Sequence, residues 1–247
     1  MQAPGTLGER LMSKVLVLIP CYNEQESILK TFYELKQLKP ELDVLVINDC
    51  SMDDSLDILV KNNVPHISLP INLGIGGAIQ AGYRYAYKHG YDIALQMDGD
   101  GQHDPAWIDS LTRPIIDGEA DLVIGSRFLE KKGYQSSRFR RMGISFFSLL
   151  LLCLTRKRIT DATSGFRAAG RSVIRLFANE YAKDYPEPES NMLALKNGFR
   201  VTEVPVEMRK RQGGLSSINS FIPLYYMIKV SVAILLHAIA PTKKYKE

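Results

Sequence analysis

The sequence predicts an α/β fold: a Rossmann-like, mostly parallel central sheet with helices on both faces, followed by an apolar C-terminal helical tail. Three observations point there. Apolar runs of strand length alternate with segments of helix length as far as Ser126. The runs are continuously apolar rather than alternating, as in strands covered on both faces. Most of them end in polar residues unsuited to a core, and in parallel sheets ligands bind outside the carboxyl ends of the strands. At 247 residues, 45% hydrophobic and 23% charged, the chain suits one such domain with a small appendage.

Val15-Leu16-Val17-Leu18-Ile19 is the first strand, ended by Pro20. Gln25 to Leu38 reads as a helix with Ile28, Leu29, Phe32 and Leu35 on one side, and Asn23 is placed to cap it. Val44 to Ile47 is the second strand, Ser55 to Val60 a short helix and His66 to Leu69 a third, weaker strand. Gly76 to Lys88 is helical, Ile93 to Met97 is the fourth strand, Ala106 to Ile116 is helical, and Leu122-Val123-Ile124 is the fifth strand. After Lys132 the pattern changes. Ile144 to Leu154 is apolar nearly all round, between Arg140-Arg141 and Arg156-Lys157-Arg158. It is too short for a bilayer core, which takes about 20 residues, and reads as a buried helix or one lying in a membrane interface. Phe221 to Ala240 is longer, interrupted by Pro223, Lys229 and His237. An interfacial helix or helical hairpin is its leading reading, ahead of a span or ordinary packing. The expected boundaries are 13–216 for the catalytic domain and 217–247 for an apolar, basic, membrane-associating tail.

A net charge of +4 is mild and argues for no nucleic-acid partner. Its distribution is uneven, with basic clusters at 138–141, 156–158, 209–211 and 243–246. A solvated face explains any one of them, but four beside apolar segments favour an anionic surface. Each Lys or Arg near an anionic leaflet adds about 1 kcal/mol. Cys21, Cys50 and Cys153 show no metal-ligand spacing and fit a reducing compartment. Residues 1–10 lack a signal-peptide pattern and read as a flexible leader. The location these features imply is cytoplasmic, at the inner face of the membrane.

The chemistry concentrates in Gln96-Met97-Asp98-Gly99-Asp100-Gly101-Gln102-His103-Asp104-Pro105. Two carboxylates one residue apart at a strand end need a cation, and oxygen ligands suit Mg²⁺ or Mn²⁺. Such an ion takes its remaining ligands from water and substrate phosphates, which suggests a nucleotide-diphosphate site. The other strand ends agree: Pro20-Cys21-Tyr22-Asn23-Glu24, Asn48-Asp49-Cys50-Ser51 and Gly125-Ser126-Arg127. With Asn72-Leu73-Gly74-Ile75-Gly76-Gly77, Asp161-Ala162-Thr163-Ser164-Gly165-Phe166-Arg167 and Arg211-Gln212-Gly213-Gly214, these motifs run in one order along most of the chain. The ordered set resembles the family-2 inverting glycosyltransferases, in particular the polyprenyl-phosphate group typified by dolichyl-phosphate mannose synthase.

The resemblance implies a GT-A fold with a nucleotide-sugar donor held by the N-terminal half. Pro20, Tyr22 and Glu24 would contact the base and Asp49 its donors, with Gly74 at the close approach of backbone to donor. Asp98 would lie on the nucleotide side, while Asp100, the catalytic carboxylate, would hold the metal with Gln102. His103 reads as a surface-loop histidine sooner than a ligand. A polyprenyl phosphate acceptor is already anionic and needs cations rather than a base, so Arg127 with Arg140 or Arg141 would clamp it beside Ser164. A saccharide hydroxyl on a lipid-linked acceptor would instead need a carboxylate base, for which Asp161 and Glu189 are the candidates. In the plainer reading Asp161 positions Ser164 and Arg167, and Glu187 and Glu189 are exposed-loop carboxylates. Arg211 would sit on a loop that closes over the donor diphosphate. Asn48 stands where many relatives carry a second acid, and Gly99 where Ala is common; neither removes a required carboxylate.

The leading expectation is therefore a metal-dependent hexosyltransferase using a nucleotide-diphosphate sugar and polyprenyl phosphate. Its nearest alternative is transfer to a hydroxyl of a lipid-linked saccharide in cell-wall or surface-polysaccharide synthesis. A nucleotidyltransferase would want a Gly-rich, basic stretch after the first strand, which Pro20–Glu24 is not. The non-enzyme alternative is a nucleotide-sugar-binding subunit that regulates a membrane-protein partner. A homo-oligomer stays open.

Overall fold

The computed structural model describes residues 13–130, 138–183, 186–209 and 223–240, and of 138–140 and 223–226 the backbone alone. The leader therefore lies outside the described residues, as do 217–222 and 241–247 of the tail. Among the described residues one sheet contains β1 (Val15–Cys21), β2 (Asp43–Asn48), β3 (His66–Ser68), β4 (Ile93–Gln96), β5 (Leu122–Ser126), β6 (Arg167–Gly170) and β7 (Val201–Pro205), in the order β3-β2-β1-β4-β6-β5-β7. The helices are α1 (Ile28–Leu38), α2 (Ser55–Lys61), α3 (Gly74–Lys88), α4 (Ile108–Ile116), α5 (Arg138–Thr155), α6 (Arg171–Asn179), α7 (Pro186–Lys196) and α8 (Pro223–Ile239).

Alternation along β1 shows why its apolar run is continuous. Leu16 and Leu18 enter one core with Ile79 and Tyr83 of α3 and Val173, Ile174 and Phe177 of α6. Val17 and Ile19 enter the opposite core with Ile28 and Leu35 of α1, Leu59 of α2 and Ile108 and Leu111 of α4. Both faces of the sheet are covered, and β1, β2, β4 and β5 all deliver their carboxyl ends to one edge.

β6 and β7 were not foreseen in the sequence. β6 runs antiparallel between β4 and β5, pairing Leu95 with Ala168 and Val123 with Ala168. Its small residues, Ala168 and Ala169, give no strong strand signal. Its direction has a consequence for the site: an antiparallel strand begins at the edge where its parallel neighbours end. The segment Asp161–Phe166, just before β6, is thereby brought to the acidic motif.

Other expectations need correction. Pro20 stays inside β1, beyond the last β4 pairing of Leu18 with Gln96, where it does not disrupt that ladder. Asn23 caps no helix; it adopts a positive φ of 55°, and α1 starts only at Ile28. The segment 106–116 divides into a 3₁₀ turn, Pro105–Trp107, capped by the Asp104 carboxylate on the Ala106 N–H, and α4. α3 begins at Gly74, with φ 75°, so the glycines form its first turn. Gly76 there donates its N–H to the Lys183 carbonyl at 2.9 Å, and a Cβ would overlap the carbonyl oxygens of Ala182 and Lys183. Because both obstacles are backbone, Gly76→Ala is expected to cost about 3 kcal/mol, read as a lower urea midpoint at unchanged m-value. A shift below about 0.5 kcal/mol would show that the 182–183 segment yields freely.

No helix among the described residues is long and apolar enough to cross a membrane. α5 and α8 share a third core. Phe147 and Leu151 pack with Val230, Ile234, Met192 of α7 and Ile124 of β5. Their other faces are apolar and exposed: Met142, Phe146, Leu149 and Leu152 on α5, and Ile228, Val232, Leu235, Leu236 and Ile239 on α8.

Candidate active site

The first two strand ends are laced together. Asn23 donates its N–H to Ser51 Oγ at 3.1 Å and accepts from the Met52 N–H at 2.8 Å. The Glu24 N–H reaches Ser55 Oγ at 2.9 Å, and the Gln25 N–H reaches Asp53 at 3.2 Å. This lacing leaves Tyr22 47% exposed at the rim, beside the end of β1 that carries Pro20. The Glu24 carboxylate accepts from Ser27 Oγ at 2.7 Å. Asp49 is buried, and its Oδ1 accepts from the Leu73 N–H at 2.7 Å, tying the end of β2 to the start of α3 and hence to Gly74. The nucleotide-side candidates thus occupy adjoining loops on one edge, and polar side chains that could have served as simple turn-formers also hold those loops together.

The acidic motif leaves β4 through Met97 and is organised by His103. Nδ1 of His103 accepts from the Asp98 N–H at 2.9 Å, so Nε2 carries the proton and faces Asp98 Oδ2 at 3.6 Å. The ring stacks on Phe166 with centroids 4.6 Å apart. Burial lowers its pKa, against the pull of Asp100, so the imidazole is neutral. The expectation of a surface-loop histidine is corrected here: His103 is buried and shapes the loop. Asp100 is buried, and its Oδ1 accepts from the Gln102 N–H at 3.0 Å. The Asp98 side chain is more open, at 38% exposure.

Behind the acids lies the loop brought by β6. A Cβ on Gly165 would stand 3.3 Å from Asp98 Oδ1 and 3.3 Å from Gln96 Nε2, so only glycine lets this backbone lie so close without crowding. Ser164 Oγ and Gln96 Nε2 are buried without a hydrogen-bond partner among the described residues. A partner from a bound sugar or water is the ordinary remedy for such groups. Arg167 is fully buried and donates to the Ser164 carbonyl at 3.1 Å and to Ser190 Oγ at 2.7 Å, anchoring the loop from below.

Arg127 and Asp161 form a buried bidentate pair in the site. Asp161 has no exposed surface; its Oδ2 accepts from Arg127 N at 3.1 Å and Nε at 2.6 Å, and its Oδ1 from Nη2 at 2.6 Å. Burial alone would lower the guanidinium's pKa, but the Asp161 carboxylate overrides it and the arginine stays charged. Both Asp161 oxygens are therefore committed to a cation, a poor setting for a general base.

The two glutamates on α7 point to different neighbours, and both are helix residues rather than exposed-loop carboxylates. Glu189, the residue named from the sequence, faces His237 of α8 at 3.5 Å. Glu187 is the one that shares the electrostatic surroundings of Asp98, Arg127 and Arg167, and the protein packed round it raises its pKa. Proline-flanked spacing gives no way to tell them apart; helical geometry separates i from i+2 by about 200°.

Alongside runs a groove of about 660 Å³. Ile144, Leu149 and Leu152 of α5 form its apolar wall, Ser145 and Ser148 line it between them, and Arg141 and Arg158 add charge. Phe128 and Thr160, which also line it, are the chain neighbours of Arg127 and Asp161, so the groove opens beside that pair. The side chain of Arg140, and Arg211 altogether, lie outside the described residues. Arg158 was not singled out in the sequence, where it looked like one charge of a cluster.

A mostly parallel sheet with an acid pair, a buried carboxylate–arginine pair and a flanking groove at its carboxyl edge defines a GT-A type of enzyme. Residues 16–180 match the family described as Glycosyl transferase family 2. The chain is 33% identical over 219 residues to the undecaprenyl-phosphate mannosyltransferase of Micrococcus luteus, an overlap of 85% of this chain and 89% of that one. It is 30% identical over 241 residues to the polyprenol monophosphomannose synthase of Mycolicibacterium smegmatis, covering 92% and 89%. Glucosyl-3-phosphoglycerate synthase from Mycobacterium tuberculosis, solved with Mn²⁺, UDP and phosphoglyceric acid, superposes with a TM-score of 0.71 over 97% of this chain and 85% of that one; at 20% identity this is a likeness of fold. The chain belongs to glycosyl transferase family 2, and it is a glycosyltransferase.

Proposed function

We propose that the enzyme moves a hexose, with inversion, from a nucleotide-diphosphate sugar to polyprenyl phosphate at the cytoplasmic face of a membrane. The observation that carries this reading is the groove: an apolar wall for an isoprenoid chain, with Arg141 and Arg158 for its phosphate, opening beside Arg127. The two sequence relatives named above are a polyprenol monophosphomannose synthase and an undecaprenyl-phosphate mannosyltransferase, which supports it.

The donor half follows from the strand ends. Tyr22 and Glu24 would meet the base, Asp49 would hold the loop that leads to Gly74, and Ser164 and Gln96 would offer their unpaired polar atoms to the sugar. Asp100 and Gln102, with Asp98, supply only oxygen or amide-oxygen ligands, which fit Mg²⁺ or Mn²⁺. Such an ion would neutralise charge developing on the departing nucleoside diphosphate. Inversion needs one displacement. An acceptor phosphate oxygen bonds to the anomeric carbon as the bond from that carbon to the diphosphate oxygen breaks. The attacking oxygen is already anionic, so no residue has to remove a proton; arginines hold it in line. Arg211 is proposed to close over the diphosphate.

Purified protein with Mn²⁺ and a panel of nucleotide sugars is expected to label polyprenyl phosphate, and Glu187→Gln is expected to keep transfer within about threefold, or 0.7 kcal/mol. Failure to label any polyprenyl phosphate would reject the acceptor. A severe loss in Glu187→Gln together with transfer to a saccharide hydroxyl would replace this reading with base-assisted chemistry at Glu187.

The exposed face of α8, in the 217–247 tail, and that of α5, in the catalytic domain with Arg156, Lys157 and Arg158 beside it, are proposed to lie together in the membrane interface. The protein is expected to float with vesicles containing phosphatidylglycerol, and Leu149→Glu with Val232→Glu to weaken that about tenfold or more, each buried apolar side chain being worth about 1.5–3 kcal/mol. Equal flotation of the double variant would remove these faces from the contact.

A further inference from the structure

We propose that Glu203 is a positioning residue for transfer, fixing residues 160 and 161 and, through Asp161, the direction of the Arg127 guanidinium. This rests on the reading of Arg127 as part of the acceptor-phosphate site.

Glu203 stands in β7, the last strand of the sheet, in register with Ile124 of β5. A charged residue on an edge strand ordinarily faces water and blocks pairing with another chain. This one is turned toward the site. Its Oε2 accepts from the Thr160 N–H at 2.7 Å, and its Oε1 accepts from the Asp161 N–H at 2.8 Å and from Thr160 Oγ1 at 3.0 Å. One carboxylate thus takes the backbone N–H groups of two successive residues and the hydroxyl of the first. Charge-assisted bonds of this kind are about twice as strong as neutral ones.

The bonding order can be followed outward. A carboxylate only accepts, so the Thr160 hydroxyl spends its proton on Glu203. Its 2.8 Å contact with Ser126 Oγ must then have serine as the donor. Ser126 Oγ in turn accepts from the Phe128 N–H at 3.3 Å. Glu203 therefore clamps the two chain segments that flank the guanidinium, 126–128 and 160–161. Asp161, held at its backbone by Glu203, closes on Arg127 with both oxygens. Moving Asp161 must turn the arginine, since three bonds link them. Nothing in this chain of contacts requires Glu203 to touch substrate.

Glu203→Gln puts an NH₂ group where a carboxylate oxygen faced an N–H, so at least one bond to 160–161 becomes a donor–donor clash. Turnover with polyprenyl phosphate is expected to fall about 10–100-fold in kcat/KM. Thermal stabilisation by nucleoside diphosphate with Mn²⁺ is expected to stay as in the parent protein. Two readouts separate positioning from mere stability. In ¹⁵N-labelled protein the Nε–H resonance of Arg127, identified by its loss in Arg127→Lys, is expected to shift and exchange faster in Glu203→Gln. In the Asp161→Asn background, Glu203→Gln is expected to lower kcat/KM by less than about a further twofold. An unchanged Arg127 resonance, or losses that multiply in the double variant, overturns the proposal. Should the parent protein transfer nothing to polyprenyl phosphate, the acceptor reading fails, while the resonance still decides Glu203. Glu203→Asp, whose shorter side chain cannot span all three donors, serves where Glu203→Gln does not fold.

Discussion

Asp100→Asn is expected to lower kcat/KM by about 10³-fold or more, the equivalent of about 4 kcal/mol in the barrier. The substitution keeps the side-chain volume and leaves an oxygen to accept from the Gln102 N–H, so the loop should hold its shape. What disappears is a formal charge in a buried place. An ion sharing its shell with a diphosphate would then lose the one buried carboxylate proposed to hold it. Steady-state rates over a range of Mn²⁺ concentrations test this. The variant should also lose the rise in Tm that nucleoside diphosphate with Mn²⁺ gives the parent protein, while keeping the Tm of the unliganded enzyme within a few degrees. Substantial turnover at ordinary Mn²⁺ would falsify the metal role of Asp100.

Asp161→Ala is expected to damage both stability and rate. Removing it strands a guanidinium whose side chain is 10% exposed, and breaking a buried pair in this way costs about 3–5 kcal/mol. For a domain of this size the matching fall in Tm is about 6–20 °C. Adding Arg127→Met should return part of that stability, because the orphaned charge is gone, but none of the activity. The combination is informative because the two losses have different origins. Recovery of transfer in the double variant would show that the pair is structural only. A fall in Tm below 2 °C for Asp161→Ala would show that solvent or another group reaches Arg127.

Much of this enzyme was legible before folding was considered, and the parts that were share a cause. The run Val15–Ile19 must be covered on both faces because it contains no polar position. Asp98 and Asp100 must have partners at the strand end because no core tolerates two neighbouring charges without them. These are local constraints, and they identified the sheet and its functional edge; the family rested on the resemblance carried by the ordered motifs. Gly74–Gly77 shows the limit of such reading. The glycines are needed for close approach, as expected, but what approaches Gly76 is the backbone at Ala182 and Lys183, more than a hundred residues away.

The remaining decisions were made by contacts distant in sequence. Ala168 and Ala169 carry too little side chain to announce β6, yet its antiparallel course brings Ser164, Gly165 and Phe166 to the acids. His103 looked like a solvated loop residue, and the stack on Phe166 makes it the organiser of the acidic turn. Glu187 and Glu189 are equivalent as letters; the α7 helix places one within the electrostatic surroundings of Arg167, Asp98 and Arg127 and turns the other toward His237. Asp161 was weighed as a base, and its double engagement with Arg127 gives it another task. Residue type and local spacing state which charges must leave the core and at which edge. Partner choice among those charges depends on which strands become neighbours, and that is settled by the packing of two apolar faces in which the charges themselves take no part.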